Sequence, residues 1–197
     1  MSGWLMTVVG PSGAGKDTLL GAARIALSRD ARFVFARRAI TRPAETSQHA
    51  GAEDHIPMSE AEFIAARDRG AFALHWQAHG LNYGIPREIE TELAAGRVVI
   101  ANLSRAVLAE ANAHYRLRVI EVTAPPAVLA ARLARRGRET AEEIAERLSR
   151  RAPLPPGLEV VRVVNDSTAE AGAARLLRAL CDGLETSLSR PGAAAPR

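Results

Sequence analysis

Lysine is almost absent from this chain. Of 26 basic residues in 197, only Lys16 is lysine, and every other one is arginine. The two are not interchangeable, since lysine offers a compact ammonium on a flexible stem and arginine a planar fork. A chain so biased towards arginine keeps lysine where a point charge is needed. Cysteine is equally scarce. The lone Cys181 excludes a disulfide framework and leads us to expect a reducing, cytoplasmic compartment. Aromatic residues make up 4%, and no basic run is interleaved with them. A net charge of +4 is therefore expected to serve phosphorylated small molecules, not nucleic acid. No apolar stretch is long enough to span a bilayer. The first residues lack the basic region of a signal peptide, so none is expected. Internal repeats, His/Cys clusters of zinc spacing and a Ser/His/Asp set are all missing.

What is present is concentrated at one place. Gly10-Pro11-Ser12-Gly13-Ala14-Gly15-Lys16-Asp17-Thr18 follows an apolar run, Trp4 to Val9, and opens a helical pattern. Strand, glycine-rich turn and helix in that order match the G-x-x-x-x-G-K spacing of a phosphate-binding loop. Glycines let backbone N–H groups turn inward around an anion. The helix start adds unpaired N–H groups and a positive dipole end. Lys16 adds a charge that can reach the β- and γ-phosphates. The residue after the lysine is normally Ser or Thr, a Mg²⁺ ligand; here it is Asp17. A carboxylate is also a hard oxygen ligand, able to hold Mg²⁺ directly or through water. Thr18 carries a hydroxyl but stands one residue late.

Length suits one α/β domain with insertions. Leu5 to Val9 reads as a central strand, and Phe33 to Ile40 as a second. Ser59 with Glu62 forms a capping box for a helix ending at Gly70. Phe72 to Gln77 reads as a strand, His79 to Gly84 as turn residues, and Pro86 to Gly96 as a helix. Arg97 to Ala101, Leu117 to Val122 and Leu158 to Val164 are further strands. Helices are expected at Ser104 to Asn112, from Pro125-Pro126 to Arg136, from a Thr140/Glu143 capping box to Ala152, and from Ser167 to Leu184. Alternating strands and helices predict a parallel, doubly wound sheet. Residues 37–90 and the arginine-rich 132–151 fall outside that alternation and read as insertions over the ligand-binding edge. The polar, small-residue stretch 186–197 is expected to be a disordered tail after a single domain, 1–185.

At this point the chain resembles the guanylate kinase-like branch of the nucleoside monophosphate kinases, which are P-loop NTPases. The resemblance covers nearly the whole chain. It rests on the phosphate loop, Thr41-Arg42, Trp76 followed by Asn82-Tyr83-Gly84, the run Arg132 to Thr140, and Asn165-Asp166. It implies an acceptor-binding insertion at 37–90, a lid at 125–151, and Asn165 and Asp166 near the adenine of ATP. The departures are informative. His75 replaces the carboxylate that holds guanine before the Trp. Pro43-Ala44-Glu45 replaces a second arginine, and Ala101-Asn102-Leu103-Ser104-Arg105 replaces an Asp-rich strand end. Without its carboxylate, such a site leaves the guanine N–H donors unpaired. The combination of Gly-Lys-Asp, Thr41 to Ala44, His75 to Leu81, Tyr83-Gly84 and Asn102 to Ala106 is similar to the ribose 1,5-bisphosphate phosphokinase family of phosphonate degradation. That family makes 5-phosphoribosyl 1-diphosphate (PRPP) from ribose 1,5-bisphosphate and ATP.

The resemblance implies roles for individual residues. The loop from Gly10 to Thr18 binds ATP, and Asp17 is the candidate Mg²⁺ ligand. Arg38 and Arg42 hold acceptor phosphates, with His75, His79, Tyr83, Ser104 and Arg105 as further acceptor-side candidates. Lys16, Arg132, Arg136, Arg138 and Arg147 stabilise the transferring phosphoryl group. Each role has a bland rival. The lid arginines can be a solvated face paired with Glu139, Glu142 or Glu143. His75 and His79 can be structural, Trp76 and Tyr83 core, and Asn165-Asp166 a turn. Alternative functions are a monophosphate kinase with altered base recognition, a catalytically silent interaction module and a regulatory ATPase. The sequence leaves room for a homodimer.

Overall fold

The computed structural model describes residues 3–43, 54–135, 140 and 153–189. Its centre is β1 (Trp4–Val9), in which every residue after Trp4 is buried. A strand covered on both faces is mostly apolar, and its one polar member, Thr7, donates its hydroxyl to the Arg118 carbonyl at 3.5 Å. Beside it stand β7 (Val98–Asn102) and β8 (Leu117–Thr123); β2 (Phe33–Phe35) and β9 (Val160–Val164) complete a five-stranded sheet. The order is β2-β7-β1-β8-β9, and all four pairings are parallel. Every carboxyl end therefore opens on one edge. Register sets Val8 beside Asn102 and Val9 beside Glu121.

Alternation along β1 divides the core. Met6 and Val8 pack with Leu19 and Ala23 of α1 (Lys16–Ala26) and with Leu176 and Leu180 of the last helix, α6 (Ala169–Ser189). Leu5 and Val9 pack with Leu93 of α3 (Ile89–Ala94) and with Leu108 and Ala111 of α4 (Leu108–His114). Each fully buried aliphatic side chain here is worth roughly 1.5–3 kcal/mol of transfer energy.

Between β2 and β7 the chain builds a second sheet, β4-β3-β6-β5, from β3 (Ala39–Ile40), β4 (Ile56–Pro57), β5 (Phe72–Ala78) and β6 (Leu81–Pro86). Helix α2 (Glu60–Asp68) covers one face through Phe63, whose ring lies 4.6 Å from that of Phe72. The Ser59/Glu62 capping box is formed as expected. Leu74, Trp76 and Ile85 join the core of the main sheet, so the two sheets share apolar packing.

Several expected elements differ. The single strand 33–40 is two strands in different sheets: Ala36 still donates to Ile100, and the chain then crosses over at Arg37-Arg38. The segment read as a turn after His79 is mostly strand β6, because His79 (φ 53°) and Gly80 (φ 72°) alone make the reversal. Two positive φ values match the twist of a two-residue hairpin. Pro86 consequently ends a strand, and α3 starts later. Ser104 caps a short 3₁₀ turn, Arg105–Val107, ahead of α4. Helix α5 (Pro126–Ala134) ends with Arg135 as its cap. The cap of α6 is Thr168, not Ser167, since Ala171 N–H donates to the Thr168 hydroxyl at 3.2 Å. That helix continues to Ser189, past Leu184 and into the stretch expected to be a tail, where Leu188 continues the helical leucine spacing. The Thr140/Glu143 box and its helix lie outside the described residues. Among the described residues no helix is long and apolar enough to cross a membrane.

Candidate active site

The phosphate loop is held by its neighbours as well as by its own glycines. Gly10 has φ 151°, and a Cβ there would lie 2.0 Å from the carbonyl oxygen of Val122 in β8. Gly15, at φ 85°, would place a Cβ 2.6 Å from the Asn165 amide. That Asn165 amide is buried at the end of β9, where Nδ2 donates to the Ala14 carbonyl at 2.8 Å. Its own N–H donates to Thr123 at 2.7 Å. Lys16 Nζ donates to the carbonyls of Gly10 at 2.7 Å and Pro11 at 3.1 Å, so its charge sits over the loop. Gly15 starts α1 without a side-chain cap, which leaves the first N–H groups for an anion.

Two cavities flank the loop. One, of about 470 Å³, is lined by Gly13, Gly15, Thr18, Arg132, Arg135 and Asn165, among others. Arg132 projects from the last turn of α5, and its Nη1 is buried with no hydrogen-bond partner among the described residues. Asp166 is exposed beside this cavity and pairs with Arg175 at 2.8 Å. The Arg175 hydrogen bond holds its carboxyl below the usual value. The other cavity, of about 220 Å³, is bordered by Asp17, Arg24, Phe35, Asp54 and Asn102. Here Asn102 Nδ2 donates to Asp17 Oδ1 at 3.0 Å. Asp54 is bridged to Arg24 at 3.1 Å and to Arg37 at 2.8 Å.

The second sheet carries the candidate acceptor residues. The Arg38 guanidinium lies 5.2 Å over the Tyr83 ring, and Tyr83 stacks on Trp76 at 5.4 Å with the rings 5° from parallel. This pile orients Arg38 by cation–π contact. Arg42 borders a third cleft, of about 540 Å³, together with Thr41, Ser59, Glu62 and Asn82. Its Nε is buried without a partner among the described residues, and its carbonyl accepts from His55 Nε2 at 3.2 Å.

Other candidates are placed differently. His75 is exposed, on the opposite face of β5 from Trp76. His79 is exposed at the hairpin tip. Ser104 accepts from Ala106 N–H as a cap. Arg105 pairs at 2.8 Å with the buried Glu121, which also takes Arg162 at 3.0 Å. Arg136, Arg138 and Arg147 lie outside the described residues. Sequence reasoning placed Asn102 and Arg135 only within the stretches that carry the resemblance, and missed Glu121 and His55 as site neighbours. Glu121 had a signal, a lone acid in an apolar strand; His55, inside an aperiodic polar stretch, had none.

No family model matches the chain. It is 52% identical over 172 residues to "Ribose 1,5-bisphosphate phosphokinase PhnN" of Brucella melitensis biotype 2, covering 87% of each. The protein of the same name in Acidiphilium cryptum is 52% identical over 176 residues, 89% of this chain and 91% of that one. "Bifunctional ribose 1,5-bisphosphokinase-thymidine phosphorylase" of Azorhizobium caulinodans is 52% identical over 183 residues, 91% of this chain but 26% of that longer protein. Among solved structures, guanylate kinase from Anaplasma phagocytophilum superposes with a TM-score of 0.64 at 19% identity, over 92% of this chain and 86% of that one. Parallel sheet, phosphate loop and that superposition define a P-loop protein of the guanylate kinase fold. At half-identity over most of its length, the chain belongs to the ribose 1,5-bisphosphate phosphokinase family.

Proposed function

We propose that the chain transfers the γ-phosphoryl group of ATP to the 1-phosphate of ribose 1,5-bisphosphate, giving 5-phosphoribosyl 1-diphosphate and ADP, in phosphonate catabolism. The observation that carries this reading is 52% identity to namesake kinases over 87% of the chain, joined to an intact phosphate loop. An oxygen of the 1-phosphate forms the new bond to the γ-phosphorus, and the bond from that phosphorus to the β–γ bridging oxygen breaks. That acceptor oxygen is already ionised near neutral pH, so no general base is needed. Catalysis then consists of positioning and charge stabilisation.

The loop N–H groups and Lys16 hold the donor phosphates, and Thr18, Arg132 and Asn165 border the donor side, with Asp166 near the base. The residues fit Mg²⁺: Asp17 sets a carboxylate beside the phosphate loop, with one oxygen held by Asn102 at 3.0 Å, and one carboxylate plus substrate phosphates is the usual set for this ion. Asp17 supplies that carboxylate. Bound there, the ion would supply positive charge to offset that of the donor phosphates as the phosphoryl group transfers. Arg38, backed by the Tyr83–Trp76 stack, and Arg42 take the acceptor phosphates. Arg136, Arg138 and Arg147 remain the proposed lid arginines. Held by Glu121, Arg105 contributes field more than direct contact. The reading is favoured over the monophosphate kinase and the silent module because the relatives carry the phosphokinase name.

The test is incubation with ATP, Mg²⁺ and ribose 1,5-bisphosphate, followed by phosphorus NMR. A diphosphate at the sugar C1 is expected. Hydrolysis of ATP with the sugar bisphosphate unchanged would refute the reading.

A further inference from the structure

The amide across from Asp17 has a consequence of its own. We propose that Asn102 is a positioning residue for the Asp17 carboxylate, and that the two form the usual metal-holding pair of a phosphate loop with acid and neutral members exchanged. The inference rests on the kinase reading above. In P-loop enzymes a hydroxyl follows the lysine and an aspartate stands across from it, together holding Mg²⁺. Here the acid follows the lysine and the neutral residue stands at the strand end. Asn102 is the last residue of β7, in register with Val8 directly before the loop. It is only 7% exposed, and its amide reaches Asp17 Oδ1 at 3.0 Å.

The chemistry of each residue depends on the other. An aspartate at 102 would set a second negative charge against Asp17 at hydrogen-bond distance, and like charges so close disfavour ionisation. An asparagine can donate instead, fixing one carboxylate oxygen. The other oxygen has no hydrogen bond among the described residues and is left for a ligand. A serine at 17 facing Asn102 would leave the pair with no anionic oxygen at all. The remaining acid in that cavity, Asp54, is occupied by Arg24 and Arg37. The protein therefore still supplies one anionic oxygen to the metal, from the loop instead of from the strand.

The test is Mn²⁺ binding to the full chain with a non-hydrolysable ATP analogue, read by electron paramagnetic resonance, alongside the Mg²⁺ dependence of the rate. Loss of a partner that orients a metal ligand typically costs about 10–100-fold in metal affinity. Asn102→Leu, similar in size but without a donor, is expected to weaken Mn²⁺ by about tenfold. Asp17→Ser alone weakens it at least as much. The exchange Asp17→Ser with Asn102→Asp restores the affinity to within about threefold, because it rebuilds the common arrangement. Wild-type affinity in Asn102→Leu would overturn the inference. So would an exchanged double variant no tighter than Asp17→Ser. If Asn102→Leu fails to fold by circular dichroism, the exchange pair decides alone. Failure of the unaltered protein to bind Mn²⁺ with nucleotide would instead bring down the kinase reading itself, and this inference with it.

Discussion

Asn165→Ala should loosen the phosphate loop without touching a phosphate. The Asn165 amide is buried, donates to Ala14 at 2.8 Å, and fills the space beside Gly15. Truncation removes one neutral hydrogen bond and strands a loop carbonyl. A buried polar group left unsatisfied costs about 1–3 kcal/mol. In a chain of this length each kcal/mol lowers the unfolding midpoint by about 2–4 °C. If about 1 kcal/mol of that loss also falls on the loop's bound geometry, KM for ATP rises about fivefold. Asn165→Asp is the sharper variant. It keeps the size but sets a carboxylate, which cannot donate, against the Ala14 carbonyl, so it should be worse than alanine. The assays are thermal unfolding with and without nucleotide, and steady-state kinetics in ATP. An unchanged midpoint and an unchanged KM in both variants would refute the clamp.

Three further outcomes follow from the same contacts. Lys16→Ala should lower kcat by about 10²-fold or more, and Lys16→Arg should not restore it, because a planar fork does not reproduce the ammonium over Gly10 and Pro11; single-turnover kinetics check this. Arg105→Ala should cost up to about 3 kcal/mol in denaturant unfolding, since it leaves the buried Glu121 half-paired, whereas Arg162→Ala, whose side chain is 68% exposed, should cost under about 1 kcal/mol. Asp166 has a folded-state value held below its ordinary 3.8 by Arg175. The sign is then fixed: its small contribution to stability is complete above 3.8 and is lost as pH falls through the depressed folded value. Acid titration of stability should show the unaltered protein ahead of Asp166→Asn above about 3.8, with the gap closing as the pH falls below it.

Legibility in the sequence followed the distance over which each interaction acts. The phosphate loop was legible because its chemistry is local, nine consecutive residues running from a strand into the first turn of a helix. The parallel sheet was legible because buried strands are mostly apolar. The second sheet was not, because Ala39–Ile40 and Ile56–Pro57 are two residues each and owe their extension to partners elsewhere in the chain. Residues 79–84 read as turn because Gly80, Asn82 and Gly84 are turn formers, although from Leu81 onward pairing with β5 overrides that preference. The Asp17–Asn102 and Ala14–Asn165 contacts join residues 85 and 151 positions apart. No local pattern announces such a pair. The family resemblance supplied the neighbourhood of these residues but not their hydrogen bonds.

The most direct test of the proposed activity is kcat/KM for ribose 1,5-bisphosphate against kcat/KM for GMP, under identical Mg-ATP. At the position where the guanylate kinase resemblance implies a carboxylate for guanine the chain carries His75, which is exposed on the far face of β5 from Trp76. Leaving buried donors unpaired disfavours a substrate by about 10⁴-fold, so the sugar bisphosphate should be preferred by at least about 10³-fold. Comparable efficiency on GMP, or a preference for it, would contradict the account.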